Sequence, residues 1–362
     1  MKYRVWWFGV LVVLLTLMFS CMVMADEKSP PTVSGQWFLS YYNGKSNGKP
    51  ESRFVINRGY INLRKKLTDS VSGRITPDIS VDREGDGEGD LEMRLKYCYA
   101  DFAFGDIGFF TKSHVEFGLV HRPWTDFEQN INLYRLQGAM FLQRNDVFSS
   151  ADFGLTVFSY FGGEMDDEYK KSVNSKFAGK YGSLAVGVYN GGGYHAIEQN
   201  NNKTVEARIT VRPVPAVIPG LQLSYLGIVG KGNTNKSPDW TVNTLFVSLE
   251  HRLYVLTGTY YTGTGNFKGK ALDSKGDELE QSGYSLFGEL KVPQYKISLI
   301  GRFDLFDDTP DSTDNDLKRI IAGIAYRIQG ATKVLLDYEI STRDSWSDNE
   351  EGVVQLSVEY NF

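Results

Sequence analysis

The last ten residues of the chain alternate strictly. Val354, Leu356, Val358, Tyr360 and Phe362 share one side of an extended segment, and Val353, Gln355, Ser357, Glu359 and Asn361 share the other. Successive side chains on a β-strand point to opposite faces, so this spacing predicts a strand with one apolar and one mostly polar face. The same alternation recurs upstream. Val334, Leu336, Tyr338 and Ile340 oppose Asp337 and Glu339; Ile320, Ala322, Ile324 and Tyr326 oppose Arg319 and Arg327. Ile297, Leu299, Gly301 and Phe303 oppose Lys296, Ser298, Arg302 and Asp304, and Val205, Ala207, Ile209 and Val211 oppose Glu206, Arg208, Thr210 and Arg212. Leu91, Met93, Leu95, Tyr97 and Tyr99 are expected outside, with Glu92, Arg94, Lys96 and Cys98 inside. Charge is too frequent on the second face for the packed core of a sandwich. Burying it unpaired is costly, whereas a wet lumen solvates it.

The predicted fold is therefore all-β: a transmembrane antiparallel up-and-down β-barrel. About sixteen strands can be read, starting near Trp37, Phe54, Ile75, Leu91, Val115, Phe153, Leu184, Val205, Leu221, Val242, Tyr254, Tyr284, Ile297, Ile320, Val334 and Val354. The links alternate as well. Short ones at Pro213–Gly220, His251–Leu253, Val292–Gln294 and Gln329–Thr332 are separated by long ones at Asn190–Asn202, Gly230–Asp239, Thr262–Gln281, Asp307–Asp316 and Arg343–Gly352. Short turns on one rim and long loops on the other are the transmembrane-barrel pattern, and an even count puts both termini on the periplasmic side. Gly162–Tyr181 is long where a short turn is due, which reads as an insertion or as a miscounted strand pair.

The longest link, His121–Ala151, has about thirty residues, a length that is usually functional. In a barrel of this size it is expected inside the lumen as a constriction loop, with a solvated surface loop as the alternative. Arg122, Arg135 and Arg144 face Asp126, Glu128, Asp146 and Asp152 within it. Both signs in a narrow passage would set up a transverse field that sorts solutes by charge and dipole. Along the strands, Arg58, Arg64, Arg74, Arg94, Lys96, Arg208, Arg302, Arg319 and Arg327 are candidates for an anion-attracting lining. Glu92, Glu206, Asp304, Asp337 and Glu359 support the alternative of mixed charge.

The first 25 residues differ from the rest. Lys2 and Arg4 precede an apolar run from Val5 to Met18, and the segment ends Val23-Met24-Ala25. This reads as a secretory signal peptide cleaved before Asp26, leaving residues 26–362 as the barrel domain. An uncleaved anchor is the alternative; a lipoprotein junction at Cys21 is disfavoured by the bulky Phe19. Without Lys2 and Arg4 the 39 basic residues fall to 37 against 44 acidic ones, a net of −7. That argues against a nucleic-acid partner. Cys98 is then the only cysteine, so no internal disulfide is expected.

Catalytic and cofactor signatures are weak. Asp82, Glu84, Asp86 and Gly87 open like a calcium loop, but Met93 stands where a bidentate Glu is required. Gly230–Ser237 fails as a phosphate loop because Asn235 replaces the glycine before Lys236. His114, His121, His195 and His251 lack metal-ligand spacing, and Ser113 and His114 point to opposite faces. No cofactor, metal or catalytic residue is assigned. A barrel-borne enzyme and a soluble periplasmic polysaccharide-binding β-protein are the alternatives to a passive channel.

From about Ser52 onward the chain resembles the phosphate-selective porin O and P family. The resemblance rests on FVINRGYINLRKKLTDSVSGRITPDIS (54–80), VEFGLVHRPW (115–124), SADFGLTV (150–157), AVGVYNGGGYH (185–195) and KTVEARITVRPVP (203–215). It implies an outer-membrane porin: a homotrimeric, sixteen-stranded, anion-preferring channel for passive diffusion of small hydrophilic solutes, with its third loop in the pore. The terminal Phe362 resembles the signal read by the barrel assembly machinery.

Overall fold

The computed structural model describes residues 30–362 except 47, 83–86, 309–315 and 347–349. The leader, its junction at Asp26, and Glu84 and Asp86 of the calcium-like stretch lie outside the described residues. Sixteen strands follow one another: β1 (Thr32–Ser46), β2 (Lys49–Lys66), β3 (Val71–Val81), β4 (Leu91–Ile107), β5 (Phe110–His121), β6 (Ala151–Phe161), β7 (Gly182–Tyr189) and β8 (Thr204–Val211) make the first half. The second half comprises β9 (Leu221–Lys231), β10 (Asp239–Glu250), β11 (Tyr254–Thr264), β12 (Glu280–Val292), β13 (Ile297–Asp307), β14 (Leu317–Gln329), β15 (Thr332–Thr342) and β16 (Glu350–Asn361). Each pairs antiparallel with its sequence neighbours, and β1 pairs with β16, closing the barrel. Every predicted strand start falls within or at the beginning of one of these strands.

Closure satisfies the edges that an open sheet would leave bare. At the seam Gly35 and Phe362 exchange both backbone hydrogen bonds, at 3.0 and 3.1 Å. The Phe362 ring occupies the space above Gly35, where an added Cβ would come within 2.1 Å of it. Glycine is therefore required for the terminal ring to lie flat. On two-residue turns, Gly108 takes φ +61° between β4 and β5 and Gly330 takes φ +59° between β14 and β15.

The outward row is a band of exposed apolar residues that includes Val205, Ile209, Leu299, Ile320, Ile324, Leu336, Tyr338, Leu356 and Tyr360. Such a continuous apolar exterior is unsuited to water and matches the lipid-facing belt of a transmembrane barrel. It excludes the soluble polysaccharide-binder. No described helix is long and apolar enough to cross a membrane; the strands do the crossing.

One expectation changes, and one pair of alternatives is decided. The alternation assigned to β4 breaks at Lys96–Tyr97, where the pairing register with β3 shifts by one between Thr76 and Pro77. Before the bulge Leu91, Met93 and Leu95 are exposed as expected. After it Tyr97 is buried inside and Cys98 is exposed outside, the reverse of the expected assignment. A bulge inserts one residue and flips every later side chain. The link 162–181 is an insertion and no miscounted strand pair: it holds one short helix, Asp167–Ser172, on the rim of short turns.

Candidate pore and its constriction

The third long loop runs from the end of β5 to the start of β6 and folds into the barrel. It contains α1 (Thr125–Gln129), a 3₁₀ turn (Arg135–Gln137) and α2 (Phe141–Arg144). One face of it is apolar. Trp124, Phe127, Ile131, Leu136, Phe141 and Phe148 are buried with Ile228, Trp240, Val242, Phe246, Phe287, Ile300, Phe306 and Leu335, inward residues of β9, β10, β12, β13 and β15. Phe246 meets Trp124 and Phe127 edge-on at 5.3 and 6.0 Å. The inward row is thus dry where the loop covers it, although the sequence pattern had suggested a wet face throughout.

Buried charges pin the same loop. Arg122 is 1 % exposed, pairs with Glu206 on β8, and lies over the rings of Phe148, Tyr189 and Trp240 at 5.1–5.7 Å. Arg208 donates to the Pro123 carbonyl (2.9 Å) and to Ser183 (2.9 Å), with its guanidinium 4.1 Å from the Phe127 ring. Arg302 donates twice to Asp304 (2.8 and 2.7 Å) and once to the Ala139 carbonyl (2.9 Å). Arg319 joins Asp304 (3.3 Å) to Glu339 (3.1 Å), and Glu339 also accepts from Arg144 on α2 (2.5 Å). These pairs brace the loop across the wall. Truncating one partner of such a buried pair leaves an uncompensated charge, a costlier loss than the pair's net stabilisation. Glu128 is also buried; it accepts from Trp124 Nε1 (2.8 Å), and burial pushes its carboxyl up to about 7.

The loop's other face, the inner wall of β1–β4, the turn-side ends of β14–β16 and part of the 162–181 insertion enclose a cavity of about 1130 Å³ that opens at the turn rim. Seven basic residues line it: Arg64, Arg74, Arg135, Lys171, Lys176, Arg327 and Lys333. They outnumber three acidic ones, Asp101, Asp126 and Glu359. Arg64 and Arg74 sit directly opposite each other on β2 and β3. Arg74 is held by Asn62 (2.7 Å), Thr76 (2.8 Å) and Nε2 of His121 (3.1 Å), whose Nδ1 donates to Glu116 (2.9 Å). Farther in, Arg58 and Lys96 both donate to the Tyr60 hydroxyl (3.1 and 3.0 Å), and Tyr194 from the next long loop donates to Asp78 (3.1 Å). Burial pulls Arg135, on the facing 3₁₀ turn, down to about 10, which leaves it charged near neutral pH. At the loop rim Arg94 pairs with Glu92 and contacts His195 (3.3 Å), whose pKa burial and then Arg94 push down to about 4.

The eleven charged candidates therefore separate. Asp126, Arg135 and Arg327 line the cavity, and Arg94 and Lys96 stand on the facing wall. Arg122, Glu128, Arg208 and Arg302 lie behind the loop, Arg144 bridges the loop to Glu339 on β15, and Arg319 on β14 ties Glu339 to Asp304 on β13. Lys171, Lys176, Lys333, Asn62 and Tyr60 were not singled out from the sequence. Lys333 shares the inward face that period-two spacing gave for its strand, but Lys171 and Lys176 lie on the insertion, and Tyr60 and Asn62 lie on β2, for which no faces were assigned. Ser113 and His114 form no dyad: Ser113 bonds Ser159 (2.9 Å) and His114 bonds the Lys112 carbonyl (3.1 Å). No cluster of three metal-ligating side chains occurs among the described residues.

No protein-family model matches the chain, and no curated protein matches it in sequence. Solved structures do match in fold. A loop L8 deletion mutant of OmpT, an outer membrane protein of Vibrio cholerae, aligns over 92 % of this chain and 99 % of its own with a TM-score of 0.60 and 14 % identity. An anion-selective porin from Comamonas acidovorans aligns over 92 % and 99 % at 0.62 and 12 %. OmpF of Salmonella typhi, in complex with daunomycin, aligns over 94 % and 100 % at 0.61 and 10 %.

Proposed function

We propose that the chain is an outer-membrane porin: a channel for passive diffusion of small hydrophilic solutes, with a preference for anions. The observation that carries this is the cavity beside an inward-folded loop, in which seven cations face three carboxylates although the chain is acidic overall, with a net charge of −5. Basic charge concentrated at the conducting surface of an acidic protein points to selection of the permeating ion. Lys333 and Glu359 pair at 2.9 Å, which leaves six cations against two acids. Phosphate is one anion such a surface would admit, in line with the family the sequence resembles. Lys96, Arg135 and Arg327 would line the path; Arg94 would meet solutes at the outer entrance. The fold shared with an anion-selective porin supports the reading.

Single-channel current and reversal potential in a planar bilayer test it. A water-filled conductance with anion-side reversal under a KCl gradient is expected. A barrel that inserts without conducting would overturn the channel, and cation-side reversal would overturn the preference.

The proposal extends to assembly. One OmpT structure is described as a trimer form, and the outer faces of β16 and β1–β5 carry two apolar grooves, of about 380 and 430 Å³, suited to a second copy. A trimer is expected on native gels. Phe362, 58 % exposed on the lipid side of the seam, is proposed as the residue the assembly machinery reads. Phe362→Asp should lower the amount of barrel in the outer membrane far more than Asn361→Asp, and equal wild-type amounts of both would refute the signal.

A further inference from the structure

The insertion on the rim of short turns, between β6 and β7, is folded rather than slack. Asp166 caps its helix α3 (Asp167–Ser172) by accepting from the Tyr169 amide at 2.7 Å. Arg212 at the end of β8 donates to the Tyr169 hydroxyl (3.1 Å) and the Gly179 carbonyl (3.3 Å). Beyond the helix the chain turns inward under the third loop. Asn174 donates to the Asn130 carbonyl of that loop (2.8 Å) and to Glu250 at the end of β10 (2.7 Å). Phe177 meets Phe127 of the loop edge-on at 5.2 Å while holding φ +49°, a conformation that side chains with a Cβ avoid unless packing enforces it.

The charges on the insertion are sorted by this packing. Lys170 faces away from the cavity and pairs with Asp167 (3.0 Å) and Glu164 (3.6 Å). Lys171 and Lys176, one on the helix and one beyond it, line the cavity with Ser175, and neither forms an ion pair among the described residues. They stand opposite Arg64, Arg327 and Lys333 on the strands. Of these five, only Lys333 is paired among the described residues, with Glu359 (2.9 Å); cations left without a counter-charge at a mouth raise the local anion concentration before the narrow section is reached.

We propose that the Gly162–Tyr181 insertion is a second selectivity element. It is a wedge at the turn-side mouth whose Lys171 and Lys176 draw anions into the cavity that the third loop narrows. This rests on the channel reading above. It adds to that reading a filter in series, contributed by a turn and located on the face opposite the long loops. Anion preference then depends on residues that lie outside the constriction loop.

The test compares K171E/K176E, K171Q/K176Q, K180E and the wild type in planar bilayers under a KCl gradient. Lys180 belongs to the same insertion but is exposed and lies off the cavity. Each variant is first checked for a folded, heat-modifiable barrel. The expected result is at least a twofold fall in the anion-to-cation permeability ratio for the double Glu variant and a smaller fall for the double Gln variant. K180E should stay close to wild type, with all conductances within about twofold. If the double Glu variant shifts no more than K180E, the wedge carries no selectivity. A wild type that does not conduct would refute the channel reading and this inference together, whereas a conducting wild type with unchanged variants refutes the inference alone. The Gln pair keeps the question answerable if charge reversal prevents folding.

Discussion

The inner wall of this barrel is two surfaces. Along β9, β10, β12, β13 and β15 the inward side chains are aromatic and aliphatic, and the third loop lies on them as a helix would lie on a core. Along β1–β4 they are mixed: Asn62, Arg64 and Arg74 line the cavity, while Arg58 and Lys96 donate to the hydroxyl of Tyr60, and Phe38, Tyr60 and Lys96 are buried. The outer rows of the two halves are alike, both apolar. A constriction loop therefore has its own folding problem, solved by making half of the wall into a core. The proposed selectivity would then rest on the half that stays wet. The braces Arg122–Glu206 and Arg302–Asp304 belong to the first task even though they are charged.

The largest separation of the halves should come from excising 124–143. The loop's bulk leaves the lumen, so conductance should rise severalfold. The dry wall is also bared, and each large side chain returned to water costs roughly 1.5–3 kcal/mol. The excised barrel is expected to melt at a lower temperature than the wild type, which a heat-modifiability series measures. Unchanged conductance would put the loop outside the conduction path.

Single substitutions sharpen the contrast. Phe246→Ala empties a site shared by Trp124 and Phe127 and should cost about 3–5 kcal/mol of loop attachment, as for other buried aromatics. Limited proteolysis within 121–151 would reveal it. On the wet wall Asn62→Ala removes an acceptor from Arg74 and Thr76, worth about 1 kcal/mol, and should leave the loop protected. Equal protease sensitivity in the two variants would erase the distinction.

Glu128 gives the dry half a pH dependence. Its carboxyl stays protonated up to about pH 7 when buried, against an ordinary value of 4.5. The folded loop thus binds the proton more tightly than the detached loop, and attachment weakens as pH rises between those two values. The loss is about 3 kcal/mol at most and is complete a little above pH 7. Loop protection should fall from pH 5 to pH 8 in the wild type and change much less in Glu128→Gln. A wild-type profile that rises with pH would reverse the assignment.

Much of the architecture was legible because its signal is local. Alternation over eight to a dozen residues fixes a strand and its lipid face, and Val354 to Phe362 needed no partner to be understood. What was not legible depends on contacts distant in sequence. The bulge at Lys96–Tyr97 leaves no mark in the hydropathy pattern, because two tyrosines suit an interface with lipid as well as a wet wall. Trp240, Val242 and Phe246 alternate with Thr241, Asn243 and Leu245, so their strand reads equally well with either face inward. The apolar third loop was named for its charges, of which Arg122 and Arg144 proved to be anchors to the wall while Asp126 and Arg135 face the cavity. The 162–181 insertion announced its anomalous length but not its direction.

The smallest expected effect belongs to the wet half. Arg64 lines the cavity opposite Arg74, is exposed, and has no ion-pair partner among the described residues. Replacing it with Gln removes one of seven cations without removing a structural bond, since its backbone pairing with Thr32 is unaffected. Arg74 loses a like-charged neighbour, a slight stabilising change that offsets the lost packing of the arginine stem. Stability should therefore stay within about 0.5 kcal/mol of wild type. The permeation effect is set by distance and screening. A unit charge about 7 Å from a passing anion in water contributes roughly 0.6 kcal/mol, and physiological salt reduces that further. Arg64→Gln should lower the anion-to-cation permeability ratio by a factor of about two or less, with the melting temperature unchanged. A large fall in stability would mean that the wet wall is also a core, and the division drawn between the two halves would then fail.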